Sequence, residues 1–406
     1  MQNYRQRAWA EISLDVLAEN VRLIREQLHS GTEFCAVVKA DAYGHGEEFI
    51  CRKLYDLGIR FYAVSSFEEA VRVRRWCPDG EILILGYTAP ECAPVLAQKN
   101  IIQTILSKEY ALELENYLEN APENNLKLKC HIKLDTGMGR IGLPAKEIRD
   151  CIRIVGKIKG IQKLKHLKID GIFTHFAVAD EPDPENFAYT ENQEENIIHI
   201  AESLQKNNIF LRHVHYLNSA GICYHNDPKT GSDSTLARAG IILYGLMPNS
   251  TLAVPIPVRP VLSLYSRISH IKTIRPGDCV SYGRTYKAES ARRIATVTIG
   301  YADGYPRALS NQGEMLVRGI RCPIVGRVCM DQTMIDISGI PEALQQEIQP
   351  GEIVTLIGQD HGESITADDI AGLCNTIGYE IVCGISKRIP RIFRENSRII
   401  HEDHLI

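Results

Sequence analysis

Residues 34–46 read Phe-Cys-Ala-Val-Val-Lys-Ala-Asp-Ala-Tyr-Gly-His-Gly. The apolar run 34–38, ending in two β-branched valines, suits a short strand buried on both faces. It stops abruptly on Lys39, and a loop containing glycine and tyrosine follows. A lysine inside an apolar strand cannot stay charged and unpaired without a large desolvation cost. It either snorkels to water or has chemistry to do. At the carboxyl end of a parallel strand, desolvation lowers a lysine's pKa and frees its amine, as Schiff-base formation requires.

Outward from this stretch the strand-then-helix pattern repeats. Ser13 caps a helix whose apolar face is Leu14, Leu17, Val21, Ile24 and Leu28. After 34–38, strands are predicted at 61–64, 82–85, 101–105, 126–134, 169–176, 212–217 and 236–243. Helix-length segments such as 67–76, 108–118 and 191–206 separate them. Eight alternating units predict an α/β protein whose parallel sheet closes into a (β/α)8 TIM-type barrel. An open doubly wound sheet is the rival, but no Gly-x-Gly-x-x-Gly follows the first strand. Beyond the prolines at 255, 257 and 260 the runs 261–274, 293–299, 315–337 and 352–357 are rich in Val, Ile and Thr, with one helix at 367–377. The expected division is a barrel over 1–250 and a mostly β domain over 251–406.

Composition is that of an ordinary globular chain, with 44% apolar and 24% charged residues in 406. A net charge of −4 gives no electrostatic reason to expect nucleic acid or a membrane surface as partner. No apolar run approaches the ~18 residues of a membrane span, and Met-Gln-Asn-Tyr-Arg-Gln-Arg leads into no signal core, so a cytoplasmic protein is expected. The twelve cysteines are scattered without a Cys-x-x-Cys pair, which predicts reduced, structural thiols and no metal site.

In a barrel the chemistry comes from the carboxyl ends of the strands. The fifth ends His131-Ile132-Lys133-Leu134-Asp135-Thr136-Gly137-Met138-Gly139-Arg140, where two cations across a glycine-rich turn could clamp an anion or simply face water. The sixth ends Thr174-His175-Phe176-Ala177, the seventh His215-Tyr216-Leu217-Asn218-Ser219-Ala220, and the eighth Arg238-Ala239-Gly240-Ile241. Downstream lie Ser281-Tyr282-Gly283-Arg284-Thr285-Tyr286, Gly300-Tyr301-Ala302-Asp303, Met330-Asp331 and Thr376-Ile377-Gly378-Tyr379-Glu380. Each taken alone suits a packing or solvated role as well as a functional one.

Together these elements closely resemble the alanine racemases, which carry pyridoxal phosphate on a (β/α)8 barrel. Matches run in the family's order from Trp9-Ala10-Glu11-Ile12 to Arg388-Ile389-Pro390-Arg391. The resemblance implies pyridoxal 5'-phosphate bound covalently on Lys39. Tyr43, Ser219, the amides of Gly240 and Ile241, and Tyr379 would contact its phosphate, and His175 would lie on the face of its ring. It places Arg238 against the pyridine nitrogen, oriented by His215. A cation there disfavours ring protonation and favours racemisation over transamination. Arg140 and the Met330 amide would bind the substrate carboxylate, with Lys133, often carbamylated in the family, orienting the arginine. Tyr301 would line the entrance and Asp331 support the site.

Racemisation needs a base on each face of the α-carbon. The resemblance makes Lys39 one and Tyr282 the other, reaching across a homodimer. The implied activity interconverts L- and D-alanine and supplies D-alanine for peptidoglycan. Two other readings stay open. A serine-preferring racemase of the vancomycin-resistance type would want a smaller residue at Tyr379, and a non-catalytic pyridoxal-phosphate-binding barrel protein would lack the second domain.

Overall fold

The computed structural model describes residues 6–123, 125–225, 234–249, 251–253 and 255–402. They divide into two compact units, one of residues 18–42 and 47–258, the other of residues 1–17, 43–46 and 259–406. The second unit is thus discontinuous in sequence, where the sequence suggests a contiguous 251–406.

The first unit is the expected parallel barrel. Its strands, in chain order, are Glu33–Val37, Phe61–Val64, Glu81–Ile84, Ile101–Ile105, Leu128–Asp135, Leu167–Phe173, His213–His215 and Leu236–Ala239. The first seven pair in parallel, each with the next, and the eighth pairs with the first in the register Ala237↔Phe34 and Arg238↔Cys35. The Thr235 N–H donates to Val214 O (2.8 Å) and the Arg238 N–H to Leu217 O (3.1 Å), bringing the eighth strand against the seventh. A strand with a helix layer outside and a packed interior inside has two dry faces. Phe61–Val64 and Ile101–Ile105 are accordingly buried at every position.

Two boundaries in this unit differ most from the periodicity. The eighth strand ends at Ala239, because Gly240 turns the chain into the short helix Ile241–Tyr244. The helix expected from 191 begins at Pro184, capped by the Asp183 side chain, which accepts from the Asn186 N–H. A proline costs nothing in a helix's first turn, where its missing N–H would have no partner.

The other unit is built on the long strand Leu262–Ile274, whose residues 262–268 alternate buried and half-buried, so one face is dry. Its ten-stranded sheet also takes in Ala8–Ser13, which lies between Leu262–Ile274, antiparallel, and Arg391–Glu395, parallel. The chain's first strand therefore belongs with its last residues. The helix expected over 367–377 is found as Ala367–Cys374, ended by Asn375 in a left-handed conformation, and a second helix, Gly378–Gly384, follows it.

Candidate active site

Within the barrel unit the strand ends assemble around Arg238, which is 3% exposed. Its Nη1 donates to His215 Nδ1 (2.8 Å), and its Nη2 to Thr174 O (2.9 Å) and Tyr216 O (3.2 Å), with His175 Nδ1 at 3.5 Å. Burial pulls the guanidinium down to about 10, so at neutral pH it stays charged. None of these partners is a carboxylate. A buried cation with no carboxylate partner among the described residues fits a site built for an anionic ligand, as a phosphorylated cofactor is.

Lys133 strengthens the same field. It is 2% exposed, and its Nζ donates to Leu134 O (2.7 Å). Burial, then the charges of Arg238 and Arg140, push it down to about 7 against the opposing pull of Asp135. About half the amines are then neutral near pH 7, the form that can attack carbon dioxide. His175 is held well below the usual imidazole range by burial and by Arg238, Lys133, Arg140 and Lys39, so its ring is neutral. Arg140 itself is exposed on the loop after the fifth strand.

The donor logic extends further than the expected pair. Because Arg238 can only donate, His215 Nδ1 is an acceptor and its proton sits on Nε2. That nitrogen lies 3.0 Å from His131 Nδ1. The His131 proton is then on Nε2, which is buried without a partner. Burial presses His131 down to about 3 and His215 well below its usual range. Neutral imidazoles in a fixed tautomer thus hold the arginine. Gly171 makes room for them: a Cβ there would lie 3.0 Å from His131 Nε2 and 2.9 Å from His213 O. Replacing His215 by phenylalanine would leave an Arg238 N–H unmet. Such a change is expected to destabilise the protein by about 1.5–3 kcal/mol, the worth of a hydrogen bond to a buried charge. Urea unfolding would measure it, and an unchanged midpoint would show that the arginine does not depend on this acceptor.

Ser219 begins the helix Ser219–Tyr224, capped by Asn218, and its hydroxyl accepts from the Gly240 N–H (2.9 Å). Ser219, Gly240 and Ile241 therefore form one cluster on adjacent strand ends. Gln193 is a residue that pattern reading passes over. From helix Pro184–Lys206 its amide donates to His175 O and Thr136 Oγ1 (both 3.2 Å) and accepts from the Ala177 N–H (2.9 Å). The signal for it is a polar residue on that helix's buried face, beside Thr190 and Asn196. His131 alternates with Lys133 and Asp135 along one face of their strand, which places it inward but does not show what it supports.

Lys39 is half-buried at the carboxyl end of the first strand. The segment after it is no ordinary loop. Ala40, Asp41, Ala42 and Tyr43 all have φ between 53° and 55°, a left-handed helical turn without a glycine. Each L-residue in that conformation costs about 1–2 kcal/mol, and such strain persists only where surrounding contacts enforce it. The Val37 carbonyl before the lysine accepts from the Tyr244 hydroxyl (2.9 Å), and the Val38 N–H donates to Ala63 O (2.9 Å).

The remaining expected residues lie in the other unit. Tyr43 and Tyr379 are ring neighbours, with centroids 6.2 Å apart. Gly44 (φ +79°) follows in close contact: a Cβ would lie 2.2 Å from Val382 O. Tyr282 is 69% exposed on a short turn preceded by Ser281 (φ 67°), whose hydroxyl donates to Arg327 O (2.7 Å). The Tyr301 N–H donates to Cys329 O and the Ala302 N–H to Met330 O (both 3.0 Å), so the Tyr301 turn is laced to the Met330 loop. Asp331 pairs with Arg388 (2.8 Å). Tyr282, Tyr301 and Met330 thus form an exposed patch on linked turns, while Lys39 belongs to the barrel unit. All twelve cysteines are free, and no cluster suited to a metal occurs among the described residues. No helix among them is long and apolar enough to cross a membrane.

Two family models cover most of the chain: alanine racemase, N-terminal domain, over residues 12–248 and alanine racemase, C-terminal domain, over 261–393. The alanine racemase of Halothermothrix orenii is 42% identical over 386 residues, 95% of this chain and 96% of that protein. The alanine racemase of Clostridium novyi is 40% identical over 393 residues, covering 97% and 96%. Among solved structures, alanine racemase of Clostridium difficile 630 superposes with a TM-score of 0.88 at 34% identity, covering 99% of each chain. The Bacillus anthracis alanine racemase with bound L-Ala-P gives 0.86 at 35%, covering 98% and 97%. A histidine racemase from Leuconostoc mesenteroides is more distant, at 27% identity and 0.81. With both models matched in order, and relatives this similar along nearly its whole length, the chain belongs to the alanine racemase family.

Proposed function

We propose that the chain interconverts L- and D-alanine with pyridoxal 5'-phosphate attached to Lys39. The observation that carries this reading is Arg238: a buried, charged arginine on the strand paired with the one that ends in Lys39. Enzymes that need a strong electron sink put an acid opposite the ring nitrogen. An arginine at that place would disfavour protonation of the nitrogen by like-charge repulsion, which suits proton return over transamination. When bound, the cofactor supplies the electron withdrawal that loosens the substrate's α-proton.

The chain's own residues do the rest. Lys39 removes or returns the proton on one face, serving the D-enantiomer, and Tyr282 on the other, serving the L-enantiomer. Arg140 and the Met330 amide hold the substrate carboxylate, and Lys133, whose neutral amine suits carbamylation, orients Arg140. Tyr43, Ser219, Gly240, Ile241 and Tyr379 hold the phosphate. His175, neutral, would help hold the cofactor's ring, and His215 keeps Arg238 aimed. Tyr301 lines the entrance, with Asp331 supporting it. Tyr282 completes the site of a second copy, so the active unit is a homodimer, and the D-alanine made goes to peptidoglycan.

The test is racemisation of L-alanine and L-serine side by side, with pyridoxal phosphate added, in deuterated water. Alanine is expected to turn over at least about tenfold faster, since one hydroxyl in a tight pocket shifts discrimination by this order, and deuterium should enter its α-carbon. A preference for serine would show that Tyr379 does not set the pocket. Absence of exchange on both substrates, with cofactor bound, would leave a carrier rather than a racemase.

A further inference from the structure

The helix Phe67–Trp76 reaches the strained turn after Lys39 twice, directly through Glu69 and indirectly through Arg72. Its N-terminus is capped by Ser66, whose hydroxyl accepts from the Glu69 N–H. That leaves the Glu69 carboxylate facing two backbone amides. The Ala40 N–H donates to Oε1 (2.7 Å) and the Ser65 N–H to Oε2 (2.7 Å). One oxygen therefore grips the residue next to Lys39, and the other grips the end of the neighbouring barrel strand.

One turn along the same helix, Arg72 forms an ion pair with the buried Glu47, its Nη2 3.2 Å from Oε2. The Glu47 N–H in turn donates to Asp41 Oδ1 (2.9 Å), inside the left-handed turn. The Ala42 N–H donates to Val38 O (3.0 Å) and closes the turn on itself.

We propose that Glu69, seconded by Arg72 through Glu47 and Asp41, is a positioning residue that holds the left-handed turn and so fixes the direction of the Lys39 side chain. The physical reason is that a run of left-handed L-residues relaxes when its constraints are removed. A carboxylate accepting two amide N–H groups is the strongest constraint on it, because hydrogen bonds to a charged acceptor are about twice as strong as neutral ones. The proposal rests on the reading of Lys39 as cofactor anchor and base, and it adds the element that aims that lysine.

The test compares the wild type with Glu69→Ala, Glu69→Gln and Arg72→Met by hydrogen-exchange mass spectrometry of the peptide over 38–46. Alanine kinetics and borohydride-reducible attachment of added pyridoxal phosphate to Lys39 are measured in parallel. For Glu69→Ala the exchange of 38–46 is expected to rise about tenfold or more, with other barrel-strand peptides unchanged. The kcat should fall by roughly 10²-fold at nearly constant KM, as expected for a displaced reacting group. Glu69→Gln has one acceptor oxygen for two amides and should fall between, with Arg72→Met a weaker effect of the same sign. Faster exchange with unchanged kcat, or unchanged exchange, would overturn the proposal. If the wild type bound cofactor on Lys39 without racemising, the functional reading would fail. The brace would still be supported by faster exchange and less reducible cofactor in Glu69→Ala.

Discussion

Lys39→Ala is expected to lower alanine racemisation by roughly 10⁴-fold or more in both directions, because on the proposed reading one side chain supplies both cofactor attachment and a proton-transfer group. Borohydride treatment of the variant with pyridoxal phosphate should leave no modified peptide over 38–46, while the wild type is modified there. Folding should be nearly untouched. Lys39 is half-buried, and the turn after it is held by Glu69 and by backbone bonds that do not involve its side chain. A variant with the wild-type melting temperature and no activity would thus be a chemical loss. Retention of reducible cofactor elsewhere in the chain would move the attachment to another lysine.

Tyr282→Phe should separate the two faces of the reaction. The ring remains and only the hydroxyl is lost, so cofactor uptake is expected to match the wild type. Racemisation should fall by about 10²–10⁴-fold, the range for loss of a general acid–base group. The residual chemistry is asymmetric. With Lys39 intact, the α-proton of D-alanine should still wash out in deuterated water, whereas that of L-alanine should not, and proton NMR of the two substrates reads this directly. Equal washout from both enantiomers would mean that Tyr282 is not the second base. Tyr282 is 69% exposed, on a turn whose Ser281 and Gly283 both take positive φ. A tyrosine placed only to pack would have its ring covered.

Much of this was legible in the order of the residues. A barrel strand buried on both faces reads as a short apolar run, so 61–64 and 101–105 coincide with the strands found. Strand-end polar residues after such runs, Lys133, His175, Ser219 and Arg238, stood out by position, but each alone suited a packing role as well, and only their joint resemblance to the alanine racemases pointed to a site. The β-rich tail was legible from its Val, Ile and Thr runs. Less legible was where elements stop, as at Gly240 and Pro184, since periodicity gives direction more firmly than length.

The tertiary structure alone decided three things. Ala8–Ser13 pairs with Leu262–Ile274 and Arg391–Glu395, a long-range choice that no local pattern encodes, because a strand's partners are set by which edges are free. His131 became part of the arginine's support only when its strand and the seventh came within 3.0 Å through the imidazoles. And the residues after Lys39, two alanines, an aspartate and a tyrosine, have no intrinsic preference for a left-handed turn. That conformation is imposed from outside by the carboxylate of Glu69, 29 positions away, and by the Asp41–Glu47–Arg72 contacts. Local sequence determined which residues could do the chemistry. Contacts distant in sequence decided how they are aimed, because strain can be held only by groups that the fold brings in.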